Sequence, residues 1–213
     1  MTLLFRKKRI IIGCECSGRV RDAFIRRGHD AISCDLKPTE RPGPHIEGDI
    51  FEAIGRGGYD MLIAFPDCTN LTASGLHWNG RIEGRAEKTE AALDFVRRLM
   101  DADIPQIAIE NPVGCISTRI RPADQTVQPY DFGEDASKRT CFWLKNLPRL
   151  KNPRGMRVPG RLVEWPRGSG KMVERWANQT DSGQNALPPS ECRAEERSRT
   201  YWGIALQMAE QWG

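Results

Sequence analysis

The sequence contains no apolar run that approaches the roughly 18 residues of a membrane-spanning helix, and residues 10–12 and 61–65 are among its longest. Basic residues at positions 6–9 interrupt the apolar stretch near the start, which argues against a signal peptide. Histidine is scarce, and the three present do not cluster with cysteine at zinc-site spacing. The seven cysteines include no Cys-x-x-Cys, which favours reduced thiols. We therefore expect a cytoplasmic protein with no membrane or metal partner.

Strong compositional bias is also missing. With glycine counted and tyrosine left out, about 47% of the residues are apolar, inside the range of roughly 45–50% that globular proteins show. This composition excludes wholesale disorder, collagen and coiled coil. The length of 213 residues favours one domain with an elaboration, and it leaves the oligomeric state open.

The net charge of +4 is unevenly distributed along the chain. Residues 138–175 contain eleven Lys and Arg against two acidic residues, Glu164 and Glu174, so the rest of the chain is slightly acidic. A basic segment on a slightly acidic body indicates a polyanionic partner, and nucleic acid is the expected one. A solvated surface loop is the alternative at this point.

Short apolar runs alternate with segments of helical periodicity in the first half of the chain. Such runs are typical of strands that are covered on both faces of a parallel sheet. The predicted strands are residues 9–14, 31–34, 61–65 and 107–109, and the predicted helices follow at residues 20–27, near residue 50, and at residues 83–100. This alternation predicts an α/β fold with a Rossmann-like, doubly wound and mostly parallel sheet.

The second half of the chain has weaker periodicity. It predicts a strand at residues 140–144 and a helix at residues 198–212, whereas residues 152–190 are rich in Pro and Gly and predict mostly loop. We therefore predict a single domain, residues 1–213. It divides into a core at 9–145, a basic loop-rich insertion at 146–197 and a C-terminal helix at 198–213.

Two strand ends carry residues suited to a small ligand, which in a doubly wound sheet lies beyond the carboxyl ends of the strands. Residues 13–18 (Gly-Cys-Glu-Cys-Ser-Gly) form a small-residue turn that leads into a helix and lets a ligand approach the backbone closely. Asp35 ends the second strand, where an acid can accept hydrogen bonds from ribose hydroxyls. A mere tight turn and a turn-forming Asp are the alternatives, but together the two features favour a nucleoside cofactor.

Two further strand ends carry residues suited to catalysis. Cys68 follows the third strand in a polar loop beside Pro66, where an exposed thiolate can act as a nucleophile. Glu110 stands at the tip of the next strand, where loss of solvation raises the pKa of a carboxyl group and lets it hold a proton near neutrality. Taken singly, an inert core thiol and a turn acid are the alternative interpretations.

The order of these elements resembles that of the cytosine carbon-5 DNA methyltransferase family, in particular its short, phage-type members. The family's Phe-x-Gly-x-Gly-Gly turn resembles residues 14–18, its second-strand acid resembles Asp35, and the Asp of its third motif resembles Asp49. Its Pro-Cys-Gln-x-Phe-Ser-x-Ala-Gly motif resembles residues 66–75, and its Glu-Asn-Val motif resembles residues 110–112.

The resemblance, over residues 9–145, implies an enzyme that uses S-adenosylmethionine to methylate cytosine in DNA. It implies that Cys68 adds to carbon 6 of the ring, that Glu110 helps to protonate nitrogen 3, and that Asn111 steadies the loop or the exocyclic amine. Lys138 is a fourth candidate catalytic residue. Candidate residues for binding the donor are Cys14, Glu15, Cys16, Ser17, Gly18, Asp35, Leu36, Asp49, Ile50 and Pro66. Candidate phosphate contacts are Arg139, Lys145, Arg149, Lys151, Arg154 and Arg157, and Trp143, Trp165 and Trp176 are candidates for stacking on a base.

The sequence departs from the family pattern at several places, among them Thr69, which replaces Gln, and residues 198–200, which only echo the closing Gly-Asn-Ser motif. Asp67 stands between Pro66 and Cys68, where its charge would raise the pKa of the thiol. The Gln-x-Arg-x-Arg motif has its nearest match in residues 137–140. Only the residues between 144 and 196 stand where the family usually has a large recognition domain.

These departures leave two alternative functions open. One is a methyltransferase that acts on RNA, on single strands or on free pyrimidine nucleotides. The other is a non-catalytic nucleic-acid-binding protein on a degenerate methyltransferase fold. A zinc nucleobase deaminase, which His45-x-Glu47 upstream of Cys68 suggests, is rejected because no second Cys lies three residues beyond Cys68.

Overall fold

The apolar runs of the sequence form the strands of one central sheet. The computed structural model describes residues 6–188, 190 and 193–213, so residues 189, 191 and 192 of the predicted insertion lie outside the described residues. Within them the sheet strands are β1 (Arg9–Gly13), β2 (Asp30–Asp35), β3 (His45–Glu47), β4 (Met61–Ala64), β5 (Gln106–Pro112), β6 (Gln125–Val127) and β7 (Thr140–Lys145).

Helices connect these strands, and a separate hairpin follows them. The helices are α1 (Arg19–Arg26), α2 (Ile50–Gly55), α3 (Ala73–Leu76), α4 (Arg85–Met100), α5 (Ile116–Arg119), α6 (Arg193–Ser198) and α7 (Trp202–Trp212), with a 3-10 turn at Pro129–Phe132. The hairpin consists of β8 (Arg161–Glu164) and β9 (Met172–Arg175). The described residues include no helix that is long and apolar enough to cross a membrane.

The sheet has the strand order β3-β2-β1-β4-β5-β7-β6. Strands β1 to β5 are parallel to one another, and β7 is antiparallel to both of its neighbours. The chain therefore winds outward from β1 in one direction and then from β4 in the other, which makes a switch point between β1 and β4. A reversed β7 between β5 and β6 distinguishes this order from the dinucleotide-binding order and defines the Rossmann-like methyltransferase fold. The predicted fold class is confirmed.

Both faces of the sheet are covered by helices, which explains why its central strands are uninterrupted apolar runs. Ile10 and Ile12 of β1 point to one face, where they join Phe24 of α1 and Trp212 of α7 in one core. Ile11 points to the other face and joins a second core with residues of α2 and α4. The two cores hold the carboxyl ends of the strands in fixed relative positions, and the candidate site lies there.

Three features of the fold differ from the sequence-based predictions. Strands β3 and β6 have three residues each and were not predicted, because so short a segment has no readable period. The region 152–190 was predicted as mostly loop, and this was wrong for the β8–β9 hairpin. The hairpin packs through Trp176, whose ring stacks on Tyr130 with centroids 3.9 Å apart. The last helix was predicted to begin at residue 198, but it begins at Trp202. Residue 198 is instead the last residue of a separate helix, α6.

Candidate active site

The carboxyl ends of β1, β2 and β4 open onto a cleft of about 740 Å³. Nine of the ten residues predicted to bind the donor line it, namely Cys14, Glu15, Cys16, Ser17, Asp35, Leu36, Asp49, Ile50 and Pro66. The tenth, Gly18, precedes α1 with a φ of 71° and donates its N–H to Glu15 Oε2 at 3.1 Å. Gly18 therefore supports the turn rather than the wall of the cleft.

One wall of the cleft comes from a face of α4 that was not predicted. Lys88, Ala91, Ala92 and Phe95 line it at the i, i+3, i+4, i+7 spacing of one helical stripe. The adjacent stripe of α4, which includes Leu93 and Val96, is the buried core face. The sequence signal was the pair of small alanines, which leaves room beside the helix. The segment 198–200 before α7 also lines the cleft and was not predicted.

Three aspartates line the cleft, and each has one carboxylate oxygen that accepts no hydrogen bond from the described residues. Asp35, Asp49 and Asp67 each accept a hydrogen bond at Oδ1 from the backbone N–H two residues further on, at 3.0, 2.6 and 3.0 Å. These bonds fix the orientation of the three carboxylates. Their Oδ2 atoms accept no hydrogen bond from the described residues and are available to a ligand that carries hydroxyl groups or positive charge.

The electrostatic character of the cleft is negative near the turn after β1. Burial, together with Asp35, Cys34, Asp49 and Asp67, raises the pKa of the Cys14 thiol to about 12. Acidic side chains in the lining outnumber basic ones: Glu15, Asp35, Glu40, Asp49 and Asp67 against Lys37, Lys88 and Arg199. Arg199 is moreover paired with Glu40, at 2.8 Å. Such a cleft favours a cationic or polyhydroxyl ligand and disfavours phosphates.

Glu15 is buried within the turn after β1. Its carboxylate accepts hydrogen bonds from the Ser17 hydroxyl and from the Gly18 N–H. Burial raises the pKa of Glu15, and these hydrogen bonds act in the opposite direction. The Glu15 carboxyl group therefore holds this turn in shape.

A fully buried guanidinium holds the loop that forms the rim of the cleft. Arg21 of α1 pairs with Asp22 and donates to Ser33 Oγ and Thr39 Oγ1, both at 3.1 Å. It also donates to the carbonyl oxygens of residues 41, 42 and 44. A Cβ at Gly43 would lie 2.7 Å from this guanidinium, so glycine provides the space it occupies. Arg21 thereby fixes residues 39–44, and nothing in the sequence pattern predicted it.

The four predicted catalytic residues lie near one another at the ends of β4, β5 and the start of β7. Glu110 is buried, and burial raises its pKa against the opposing effects of Lys138 and a hydrogen bond with Thr140. Burial, Asp67 and Glu110 raise the pKa of Cys68, whereas Lys138 lowers it. The arrangement places a carboxyl group with a raised pKa and a thiol near each other, with the Lys138 cation acting on both.

Close backbone contact positions the loop that carries Cys68. Asn111 is buried and donates from Nδ2 to the Pro66 carbonyl at 2.8 Å, while its Oδ1 has no partner among the described residues. Leu71 O accepts the Cys115 N–H at 2.8 Å. A Cβ at Gly114 would lie only 1.9 Å from Leu71 O, so this contact requires glycine. The loops after β4 and β5 therefore form one unit.

The structure places the six candidate phosphate contacts in three separate regions. Lys145 ends β7 opposite Ile107, the second residue of β5, and therefore lies at the amino edge of the sheet, away from the cleft. Arg149 and Lys151 follow it; Lys151 N–H and C=O both bond Gln211 near the end of α7. Arg139 is exposed and directly follows Lys138.

The remaining two candidates, Arg154 and Arg157, lie in the segment that leads to the hairpin. Arg157 is 2.6 Å from Glu174 and lies over the Tyr130 ring, so its contacts serve the packing of the hairpin. Two of the candidate stacking residues are also structural. Trp143 is buried in the core, and Trp176 is covered by Tyr130, so the prediction that they stack on a base was wrong.

Solved structures that are similar to part of this chain include one from Escherichia coli and one from Entamoeba histolytica. One is a protein from Escherichia coli described as a candidate DNA modification methyltransferase encoded within a prophage, with 13% identity, 65% of this chain and 46% of that chain covered, and a TM-score of 0.43. The other is the Entamoeba histolytica methyltransferase EhMeth, with 18% identity, coverage of 70% and 56%, and a TM-score of 0.46. This chain spans about half the length of each. No protein-family model and no curated protein matches it.

Proposed function

We propose that the protein transfers a methyl group from S-adenosylmethionine to carbon 5 of cytosine in DNA, through a covalent adduct at Cys68. The proposal is supported by the position of the cleft next to Cys68 and Glu110. An acidic cleft suited to a cationic nucleoside ends at Pro66 and Asp67, directly before Cys68. The buried Glu110 lies within electrostatic reach of that thiol.

The residues of the cleft fit this donor. Its ribose hydroxyls and its ammonium group are hydrogen-bond donors, and the three free Asp oxygens are acceptors. Asn70 also lines the cleft and has a buried Oδ1 with no partner among the described residues, which a ligand donor would satisfy. Asp35, at the end of β2, is the residue that would hold the ribose. When bound, the donor supplies an electrophilic methyl group.

The protein's own residues then account for activation of the ring. The Cys68 thiolate adds to carbon 6 while the Glu110 carboxyl group gives its proton to nitrogen 3, so that no full negative charge develops on the ring. Carbon 5 becomes nucleophilic and takes the methyl group. Loss of the carbon-5 proton to solvent water and departure of the Cys68 thiolate restore the aromatic ring, and nitrogen 3 returns its proton to the Glu110 carboxylate. Lys138, which lowers the pKa of Cys68, favours the thiolate that begins the sequence.

Covalent trapping tests this proposal. Incubation with S-adenosylmethionine and 5-fluorocytosine DNA should give a methylated adduct, because fluorine cannot leave carbon 5 as a proton does. Denaturing mass spectrometry should find the adduct on the wild type and on Cys141→Ala, a control thiol in β7, but not on Cys68→Ala. An adduct on Cys68→Ala, or no adduct on any DNA while the donor binds, would contradict the proposal.

The same experiment on RNA and on single-stranded DNA decides between the candidate substrates. The hairpin and its flanking loops are small beside a recognition domain, which favours a substrate that does not need to be read as a duplex. Trapping of RNA alone would move the proposal to RNA. If the protein binds nucleic acid and neither binds the donor nor forms an adduct, it is a binding protein.

Two basic residues on opposite edges of the sheet give a matched test of the nucleic-acid surface. Arg139→Glu should weaken DNA binding about tenfold at low salt, because it places a negative charge beside the catalytic edge. Lys145→Glu changes charge equally at the amino edge and should have little effect. Fluorescence anisotropy at two salt concentrations measures both. Equal losses for the two variants would mean that the surface lies elsewhere.

A further inference from the structure

Asp67 occupies the border between the cleft and the catalytic loop. It lines the cleft and directly precedes Cys68, and its carboxylate is exposed. Oδ1 accepts hydrogen bonds from the Thr69 N–H at 3.0 Å and from the Thr69 hydroxyl at 2.7 Å. The orientation of the carboxylate is therefore fixed by its own loop, and its Oδ2 is left for the cleft.

The charge of Asp67 acts on both sides of this border. It contributes to the raised pKa of Cys14 at the end of β1 and to that of Cys68 in the catalytic loop. No described Lys or Arg forms an ion pair with it. The carboxylate thus keeps an uncompensated negative charge on the path from the donor cleft to the nucleophile.

This location matters because donor and product differ in charge at a single atom. S-adenosylmethionine carries a positively charged sulfonium, and S-adenosylhomocysteine, which remains after methyl transfer, has a neutral thioether. Their nucleoside and amino-acid parts are identical, so contacts to those parts do not distinguish them. A carboxylate near the sulfur attracts the sulfonium and has no charge to attract in the product.

We propose that Asp67 makes the cleft selective for the charged donor over the neutral product, so that the product leaves readily. This inference rests on the proposed function. It assigns a binding role to the residue by which the chain departs from the family pattern. Asp35 ends β2 and Asp49 directly precedes α2, so neither stands in the loop that carries Cys68, and in this proposal both bind the parts that the two molecules share.

Titration calorimetry of the wild type and Asp67→Asn with both molecules tests the inference. Asn can accept the same turn hydrogen bonds at Oδ1, so the loop should keep its shape. We expect the Kd of S-adenosylmethionine to rise about fivefold in Asp67→Asn and that of S-adenosylhomocysteine to change less than twofold. An analogue with a protonated amine in place of the sulfonium should behave like the donor.

Asp35→Asn is the matched control, because it should weaken the donor and the product by the same factor. If Asp67→Asn raises the Kd of both molecules equally, or of neither, Asp67 does not distinguish the charged sulfonium from the neutral thioether. The inference is then wrong although the proposed function stands. If the wild type binds neither molecule, the proposed function fails as well. The two failures are therefore distinguishable.

Discussion

Replacing Glu110 by glutamine should lower methyl transfer by about 10²–10⁴-fold, because an amide cannot give a proton to the cytosine ring. The stability of the same variant relative to the wild type should also rise with pH. Burial raises the pKa of Glu110 in the folded state, so the unfolded chain releases this proton at lower pH than the folded one. Stability then falls as the pH rises from the unfolded value toward the folded one.

Glutamine removes this pH dependence because it does not titrate. The difference in Tm between Glu110→Gln and the wild type should therefore increase by a few degrees from pH 5 to pH 8, in favour of the variant. Differential scanning calorimetry over this range measures it, and Glu83→Gln, at an exposed position, should show a flat difference. A constant difference in Tm would show that the pKa of Glu110 is not raised in the folded state, and retained turnover would show that Glu110 does not give a proton to the ring.

Replacing Arg21 by methionine should lower the free energy of unfolding by about 3 kcal/mol. The substitution leaves the carbonyl oxygen of Pro42 without its donor, takes one of the donors from the carbonyl oxygens of residues 41 and 44, and removes one of the two cations paired with Asp22. Because the same loop carries Glu40, which lines the cleft, the Kd of the donor should also increase. Urea denaturation and calorimetric titration measure the two effects.

Two further variants separate the buried contacts from a general effect of charge. Arg26→Met removes an exposed guanidinium from the same helix and should have little effect on either measurement. Arg21→Lys keeps the charge but has fewer donors, and should give intermediate values. If Arg21→Met unfolds at the wild-type urea concentration, the network of hydrogen bonds does not hold the rim.

The strands that could be predicted from the sequence are those whose residues are buried in the core on both faces of the sheet. Residues 10–12 and 61–64 are apolar on both faces because helices cover both sides of the sheet, and that pattern is visible without the structure. Strand β3 could not be predicted in the same way, since His45 and Glu47 form a strand only through pairing with β2. The residues of the hairpin are held by partners such as Tyr130, far away in sequence.

The residues of the candidate site could be predicted where they lie at the end of a recognisable strand. They could not be predicted where their position depends on contacts that form only in the folded protein. The turn after β1 and Cys68 each follow a recognisable strand, and Asp35 is the last residue of one. The role of Arg21 depends on a loop that only the fold brings to it, and an Arg in a helix is ordinarily exposed. Lys145 illustrates the converse, since its charge suggested a role that the direction of its strand does not support.

The reversed direction of β7 decides which neighbouring segment can act on a substrate. Because β7 runs opposite to β5, its first residue, Thr140, lies beside the carboxyl end of β5, where Glu110 and the candidate site are. Its last residue, Lys145, lies at the amino edge of the sheet. Residues 146–157 must then return across the molecule before Val158 N–H reaches the Tyr130 carbonyl at 2.8 Å. Changes in the short stretch before Thr140 therefore act directly on the chemistry. An insertion just after β7 would extend the molecule on its opposite side, where it could grow without disturbing catalysis.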